Sequence, residues 1–314
     1  MSSQELTSVA MHTLADQVQV RRGFLSPKTT GYLVLYSVVI IWAGFALTLR
    51  AISTSGLTTA DVALIRFAVP VLALLPAFSS RFAEFKKLRL RDVLMVLCGG
   101  LPFFFIASAG ARTTSAVHVG ALVAGTAPLS VSLVYFLIDR RRLPRRQLLP
   151  LSIIIAGALG LIIAQPAGID PETLRGIGYL LVASLFWGIY SVGLRSSGLD
   201  AIGNGIVLAV GSLVMLVTLM LTGVVPSHLD SITLHQAVPF LLIQGLGVGL
   251  LSTVGYAFAI SRLGTAKSAT IGSLAPALAA ILAVPFLGES ITFSTAISVF
   301  LITVGVILSN RSAT

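Results

Sequence analysis

Charged residues are scarce in this sequence of 314 amino acids: Lys, Arg, Asp and Glu together make up 10% of it, and only 11 residues are acidic. An ordinary soluble domain is about 25% charged. So few charges cannot coat a water-soluble globule of this length, which excludes a soluble enzyme. A disordered chain needs the opposite balance of low hydrophobicity and high charge, and is excluded as well. Cysteine is almost missing. Cys98 stands alone in an apolar stretch, so the chain holds neither an intramolecular disulfide framework nor a multi-cysteine metal site. The four histidines, His12, His118, His228 and His235, do not cluster. His228 and His235 share a connection with Asp230, a grouping more typical of a solvated loop than of a metal site. There is no G-x-x-x-x-G-K-[ST] motif, so an ATP-driven pump is excluded. Nothing calls for a cofactor.

What is present in excess is apolar: 56% of the residues, with a mean hydropathy of +0.98. A helix needs about 20 mostly apolar residues to cross a hydrocarbon core of about 30 Å. Ten segments qualify, at 32–49, 62–78, 93–111, 115–138, 147–164, 176–194, 204–223, 237–260, 266–287 and 292–309. They do not alternate as barrel strands would, and backbone polar groups in lipid must bond within their own segment. The expected fold is an all-α integral membrane protein of ten transmembrane helices. The connections are too short for a separate folded domain. Residues 1–31 lack the cleavage pattern of a secretory signal and read as a tail.

The net charge of +10 raises the question of nucleic acid. The placement of the charges answers it. With the N-terminus in the cytoplasm, one side of the membrane collects Arg21, Arg22, Lys28, Arg81, Lys86, Lys87, Arg89, Arg91, Arg140, Arg141, Arg142, Arg145, Arg146, Arg195, Arg262, Lys267 and Arg311. The other side holds Arg50, Arg112 and Arg175, and Arg66 lies within a span. Lys and Arg collect in cytoplasmic loops, so both termini are expected inside. The basic residues orient helices and meet lipid headgroups, and nucleic acid is not an expected partner.

The sequence is internally repeated. Trp42, Phe45 and Arg50 recur as Trp187, Tyr190 and Arg195, at an offset of 145 residues. Gly99 to Arg112 matches Gly249 to Arg262, and Ser115-Ala116 matches Thr265-Ala266, at an offset of 150; Ala127-Pro128 matches Ala275-Pro276 at 148. Each unit carries five spans. Because five is odd, the second unit enters the membrane from the opposite face, which makes two inverted five-helix repeats, the pattern of alternating-access transporters.

The second unit runs through Tyr256-Ala257-Phe258-Ala259, Leu263-Gly264-Thr265-Ala266, Ala275-Pro276, Leu287-Gly288-Glu289-Ser290-Ile291-Thr292 and Gly305-Val306-Ile307-Leu308. The first contains Ile65-Arg66-Phe67. In this the sequence resembles the EamA domain of the drug/metabolite transporter superfamily, over 32–164 and again over 176–309, with a short C-terminus at 310–314. Arg66 and Glu289 are the positions that match its motifs. The first copy departs at its end, where Ile138-Asp139 and a basic run replace the Gly-Glu pair. The resemblance implies an inner-membrane transporter of small metabolites, amino acids being the implied class, with a central cavity between the halves.

Several residues are candidates to line such a cavity. Trp42 and Phe45 are three apart and share a helix face; Trp187 and Tyr190 repeat the geometry, so the two pairs could face each other. Helix packing is the more common role for each. Tyr256 joins them from the repeated stretch. Ionisable groups within spans are functional candidates by default. Arg66 pairs with a neighbour or with helix-end carbonyls in its bland reading. His118 titrates near neutral pH in water and could carry a proton, or serve as a neutral hydrogen-bonding group. Gln244 contacts either solute or the next helix, and Gly245 and Gly249 beside it form a small-xxx-small step for close helix approach. Pro128 and Pro276 stand mid-span at matched sites, where a missing donor bends a helix.

No carboxylate lies deep in a span, since Asp61, Asp139 and Glu289 fall at edges. That leaves exchange down a gradient, or a proton mechanism resting on His118. The function read from the sequence is a secondary transporter of small organic metabolites in the cytoplasmic membrane, exporting amino acids or related compounds. A channel or lipid scramblase is the alternative, and a membrane enzyme a more remote one. The implied partners are a small-molecule solute and the bilayer; the oligomeric state is not legible.

Overall fold

The computed structural model describes residues 26–140, 143–163, 170–228 and 233–312. The expected tail therefore lies outside the described residues up to position 25, as do Arg141, Arg142, Asp230 and positions 313–314 of the C-terminus. Among the described residues there is no strand, and ten helices are long and apolar enough to cross a membrane. They are α1 Pro27–Thr54, α2 Thr59–Phe85, α3 Leu90–Thr113, α4 Ala116–Ile138, α5 Arg145–Ile163, α6 Pro171–Ser196, α7 Ala201–Leu221, α8 Leu234–Leu263, α9 Thr265–Leu287 and α10 Phe293–Ser312. Each coincides with one of the expected spans, with ends shifted by a few residues.

The shifts come from capping, which hydrophobicity alone does not reveal. Helix α1 starts at Pro27, ahead of its apolar run, because Ser26 accepts from Thr29 N and proline is preset for the first helical turn. Thr58 and Asp61 form a capping box at the start of α2. Asp170, Asp200 and Thr233 cap α6, α7 and α8.

Large apolar side chains face outward along the bundle: Leu72 is 71% exposed, Leu221 84% and Phe293 83%. In water such a surface would aggregate. In a bilayer it meets lipid, while every helix satisfies its own backbone. The chain is a multi-pass membrane protein.

Helices α1 and α6 are the hubs. Helix α1 packs on α8 and α9, and α6 packs on α3 and α4. Helix α2 packs on α7 and α8, α7 also meets α3, α5 pairs with α10, and α4 touches α9. The first five helices and the last five are thus interleaved, each hub lying against the other set. Exchanging α1 with α6, α2 with α7, α3 with α8, α4 with α9 and α5 with α10 returns the same set of pairings.

We call the end where α1 finishes the distal end and the opposite one proximal. The main apolar core gathers mostly toward the distal end. It includes Ala46 and Leu49 of α1, Val62 and Phe67 of α2, Phe103, Phe104 and Ala107 of α3, Leu122 of α4, Ala183 of α6 and Ala283 of α9, all within 2% of full burial. On the proximal side a second, small core joins only Met95, Val134 and Val192.

Four helices are interrupted, α9 among them, between Gly272 and Ala275. Helix α3 restarts between Cys98 and Leu101, and the freed Leu101 amide donates to Ser212 Oγ of α7 at 3.2 Å. Helix α4 passes through a π-helical turn, Gly120–Ala124, before Ala127–Asp139. Helix α8 runs as π-helix over Leu241–Leu251. Such turns place side chains off the regular helical register and recur at functional sites.

Candidate solute-binding site

Arg66 is the most unusual residue in the protein. It lies two turns into α2 and is 5% exposed. A buried guanidinium needs partners, because removing its hydration costs several kcal/mol or more. Its Nη1 donates to Gln244 Oε1 at 2.6 Å, and Gln244 Nε2 donates in turn to Thr48 Oγ1 at 2.8 Å. The guanidinium carbon sits over three rings, at 5.1 Å from the centre of Phe45, 5.3 Å from Phe104 and 5.8 Å from Phe67. Ring faces attract cations, at about 2 kcal/mol when desolvated. Among the described residues no carboxylate forms an ion pair with Arg66.

The local sequence dictates this arrangement. Gln244 falls within the π-helical stretch and is fully buried. Gly245 and Gly249 let α8 approach α2, and a Cβ at Gly249 would stand 2.8 Å from the Arg66 carbonyl. Thr48 belongs to α1, so one chain of hydrogen bonds ties α1, α2 and α8 around a charge.

Aromatic rings continue from this point. Phe45 stacks on Phe103 at 5.9 Å, Phe103 meets Trp187 at 5.4 Å, and Trp187 meets Tyr190 at 5.3 Å. Trp42 instead pairs with Tyr256 at 5.1 Å, and Gly272 leaves room for the Trp42 ring. The two repeated aromatic pairs do not meet face to face. Phe103 bridges Phe45 to Trp187, while Trp42 has its own partner on α8. Trp42, Phe45, Trp187, Tyr190 and Tyr256 each keep partial exposure. Near Trp187, Ser184 Oγ lies 2.8 Å from Thr126 Oγ1 and 2.9 Å from Ser130 Oγ, a polar seam between α4 and α6.

Comparison with known proteins gives this arrangement a context. Residues 174–311 match the EamA-like transporter family. An uncharacterized transporter of Clostridium kluyveri is 26% identical over 298 residues, spanning 90% of this chain and 93% of that one. The threonine/homoserine exporter RhtA of Salmonella typhimurium is 28% identical over 240 residues, spanning 74% and 75% of the two chains. A solved crystal structure at 19% identity superposes with a TM-score of 0.59, over 89% of this chain and 96% of that chain. Over residues 174–311 the chain is thus similar to the EamA-like transporter family.

The remaining sequence candidates fall outside the Arg66 network. Glu289 is at the distal end. Its Oε1 accepts from Ala116 N at the start of α4, at 2.8 Å, and lies 4.0 Å from Arg50 Nε. Gly288, at φ 67°, makes the left-handed turn that delivers it. Arg50 also donates to the last carbonyls of α3, Ala111 at 3.1 Å and Arg112 at 2.8 Å. The motif acid of the EamA pattern here clips together the distal ends of α1, α3 and α4. His118 is 8% exposed, with Nδ1 2.7 Å from Ser115 Oγ and a further contact to the Leu161 backbone. It joins α4 to α5 and does not adjoin Arg66. Pro128 and Pro276 both stand in the first turn of the second segment of an interrupted helix, where no backbone donor is lost. They mark the restarts and do not themselves kink a continuous helix. Among the described residues no three metal-binding side chains converge.

Sequence reasoning missed Thr48, Phe103 and Phe104, which complete the site. Apolar and hydroxyl residues within an apolar span carry no signal until a buried charge is placed beside them.

Proposed function

We propose that this protein is a secondary transporter of small organic metabolites in the cytoplasmic membrane, with both termini in the cytoplasm, exporting amino acids or related compounds by alternating access. The observation that carries this reading is the lopsided core. Phe103, Phe104, Leu49 and Ala107, each at 1% exposure or less, pack the distal parts of α1 and α3 together, while the proximal parts of α3, α4 and α6 meet through the small Met95–Val134–Val192 core. A bundle closed at one end and loosely joined at the other fits one endpoint of an alternating cycle. A sealed half speaks against a standing open channel.

The exchange of pairings supports the second endpoint. If α1 to α5 and α6 to α10 are inverted copies, the packing that seals the distal end has a counterpart available at the proximal end. The Lys and Arg distribution favours a cytoplasmic proximal end, and with that orientation the state faces inward, ready to load solute for export. The threonine/homoserine exporter among the relatives makes amino acids the first solutes to test.

The test is counterflow. Protein in liposomes preloaded with unlabelled threonine or homoserine should accumulate the labelled compound transiently and saturably, and a wider panel of amino acids should show which solute drives trans-stimulation. Flux without trans-stimulation would indicate a channel, and a changed product would indicate an enzyme. Either result overturns the proposal.

A further inference from the structure

The transport reading leaves open which group on the solute the protein grips, and Arg66 bears on that question directly. Its surroundings hold the charge without neutralising it. The one hydrogen bond recorded at its guanidinium goes to a neutral amide, Gln244, and the other attractions come from the faces of Phe45, Phe67 and Phe104. The nearby acids are already engaged. Asp61, five residues earlier on the same helix, accepts from Thr58 N at 2.9 Å, from Ser227 Oγ at 2.6 Å and from His228 N at 3.1 Å. Glu289, at the distal end, accepts from Ala116 N through Oε1, which lies 4.0 Å from Arg50, while its Oε2 is buried without a hydrogen-bond partner among the described residues. Arg66 is therefore a buried cation, 5% exposed, with no anion to meet it among the described residues.

We infer that Arg66 anchors a carboxylate of the transported solute, with Gln244 holding the guanidinium when no solute is bound, and that the solute's apolar body lies along Phe45, Phe103, Trp187 and Tyr190. The inference rests on the transport reading and deepens it. A guanidinium presents a planar fork that matches a carboxylate in two parallel hydrogen bonds. Gln244 occupies Nη1 alone, and an amide is an easily displaced partner for a guanidinium. The ring series from Phe45 through Phe103 to Trp187 and Tyr190 offers a continuous apolar wall leading from the charge. The same surroundings lack a free carboxylate for an ammonium group. The site thus selects for one negative charge on an apolar body, and an amino group adds no ion pair.

Two compounds of nearly the same shape isolate the charge: 3-phenylpropionate and 3-phenylpropanamide. Titration of the full-length protein in lipid nanodiscs, followed by its tryptophan fluorescence, should show the acid binding at least about 10-fold more tightly than the amide. Arg66→Gln should weaken the acid by about 10- to 150-fold, the range expected for a hydrogen bond to a charged group, and leave the amide unchanged. Arg66→Lys, which keeps the charge but not the fork, should fall between. Should Arg66→Gln fail to fold, the comparison of acid and amide on the unmodified protein decides alone. Equal binding of the two compounds, undiminished acid binding by a folded Arg66→Gln protein, or binding of neither compound overturns the anchor. Counterflow separates the two levels: a protein that exchanges solutes yet ignores their carboxylate refutes the anchor only, whereas one that exchanges no solute refutes the transport reading itself.

Discussion

Replacing Gln244 with leucine removes two hydrogen bonds at once, at 2.6 Å to Arg66 and at 2.8 Å to Thr48, while keeping most of the side-chain volume. In water-soluble proteins such bonds would suggest about 1 kcal/mol for the neutral one and about 1.5–3 kcal/mol for the charged one. The membrane lowers both figures, because helices in an unfolded membrane state also find partners. Interhelical bonds there average about 0.6 kcal/mol and reach about 1.7 kcal/mol. Taking the average for the Thr48 bond and the upper value for the Arg66 bond gives a loss of about 2 kcal/mol, or roughly 30-fold in the folding constant. The decisive measurement is a double-mutant cycle by reversible unfolding in mixed micelles. Most of the loss comes from leaving Arg66 without its acceptor. Adding Arg66→Met should therefore recover more than half of it, with a coupling energy of about 1.5 kcal/mol between the two positions. Strict additivity would mean that the ring faces of Phe45, Phe67 and Phe104 satisfy the guanidinium unaided, and the network described here would have no energetic content.

Gly188→Ala tests the contact between α6 and α4: the added Cβ would stand 2.8 Å from the Ser130 carbonyl carbon, a backbone atom that cannot rotate away. It should destabilise by about 1–3 kcal/mol, measured by the same unfolding assay. Pro276→Ala should change stability by less than about 0.5 kcal/mol, because a proline in the first turn of a helix removes no bond; a larger loss would restore the bend role to that residue. At the proximal surface, Arg81 Nη2 lies 2.8 Å from Asp200 Oδ2 and holds that carboxyl below the usual range. A lowered folded value stabilises above the unfolded value, near pH 4, and the benefit is lost as the pH falls through the folded one. The stability gap between the unmodified protein and Arg81→Gln should therefore be present at pH 6 and close below pH 4; a gap that persists at low pH would assign it to packing.

All ten helices were legible in the sequence because a bilayer makes apolar length a nearly sufficient signal. Each expected span recurs; five helices start early where Ser26, Thr58, Asp170, Asp200 or Thr233 caps them outside the apolar run, and α2 runs on past its apolar run to Phe85. The Gly245–Gly249 step was legible for the same kind of reason: small residues four apart admit a neighbour, and α2 is that neighbour. The site was only half legible. Arg66 and Gln244 stand out as polar residues within apolar spans, but their pairing spans 178 residues of sequence and has no local signature. The facing of the aromatic pairs failed in detail because a shared helix face fixes direction only within one helix. Which ring it meets depends on the interruption at Gly99, where Tyr190 fills the space a side chain would occupy.

The two ends of the bundle also differ in a way that bears on the transport cycle. At the distal end Arg50 reaches Glu289 and the carbonyls of Ala111 and Arg112. The ion pair itself is long, at 4.0 Å, and its arginine is 35% exposed, so it contributes at most about 1 kcal/mol. The packed core beneath it contributes far more to the seal. The residue that repeats Arg50 in the second half is Arg195, whose Nη1 donates to the Tyr135 hydroxyl at 3.3 Å and which forms no ion pair among the described residues. Arg140 adopts the left-handed turn that Gly288 makes in the other half, at φ 54°, and the sequence after it continues with arginines where the other half has Glu289. The sequence position that matches Glu289 is Arg141, which offers no carboxylate for the same clip. Under alternating access the empty protein should then favour the state sealed distally, and a solute that neutralises Arg66 would have to supply the difference needed to reverse it.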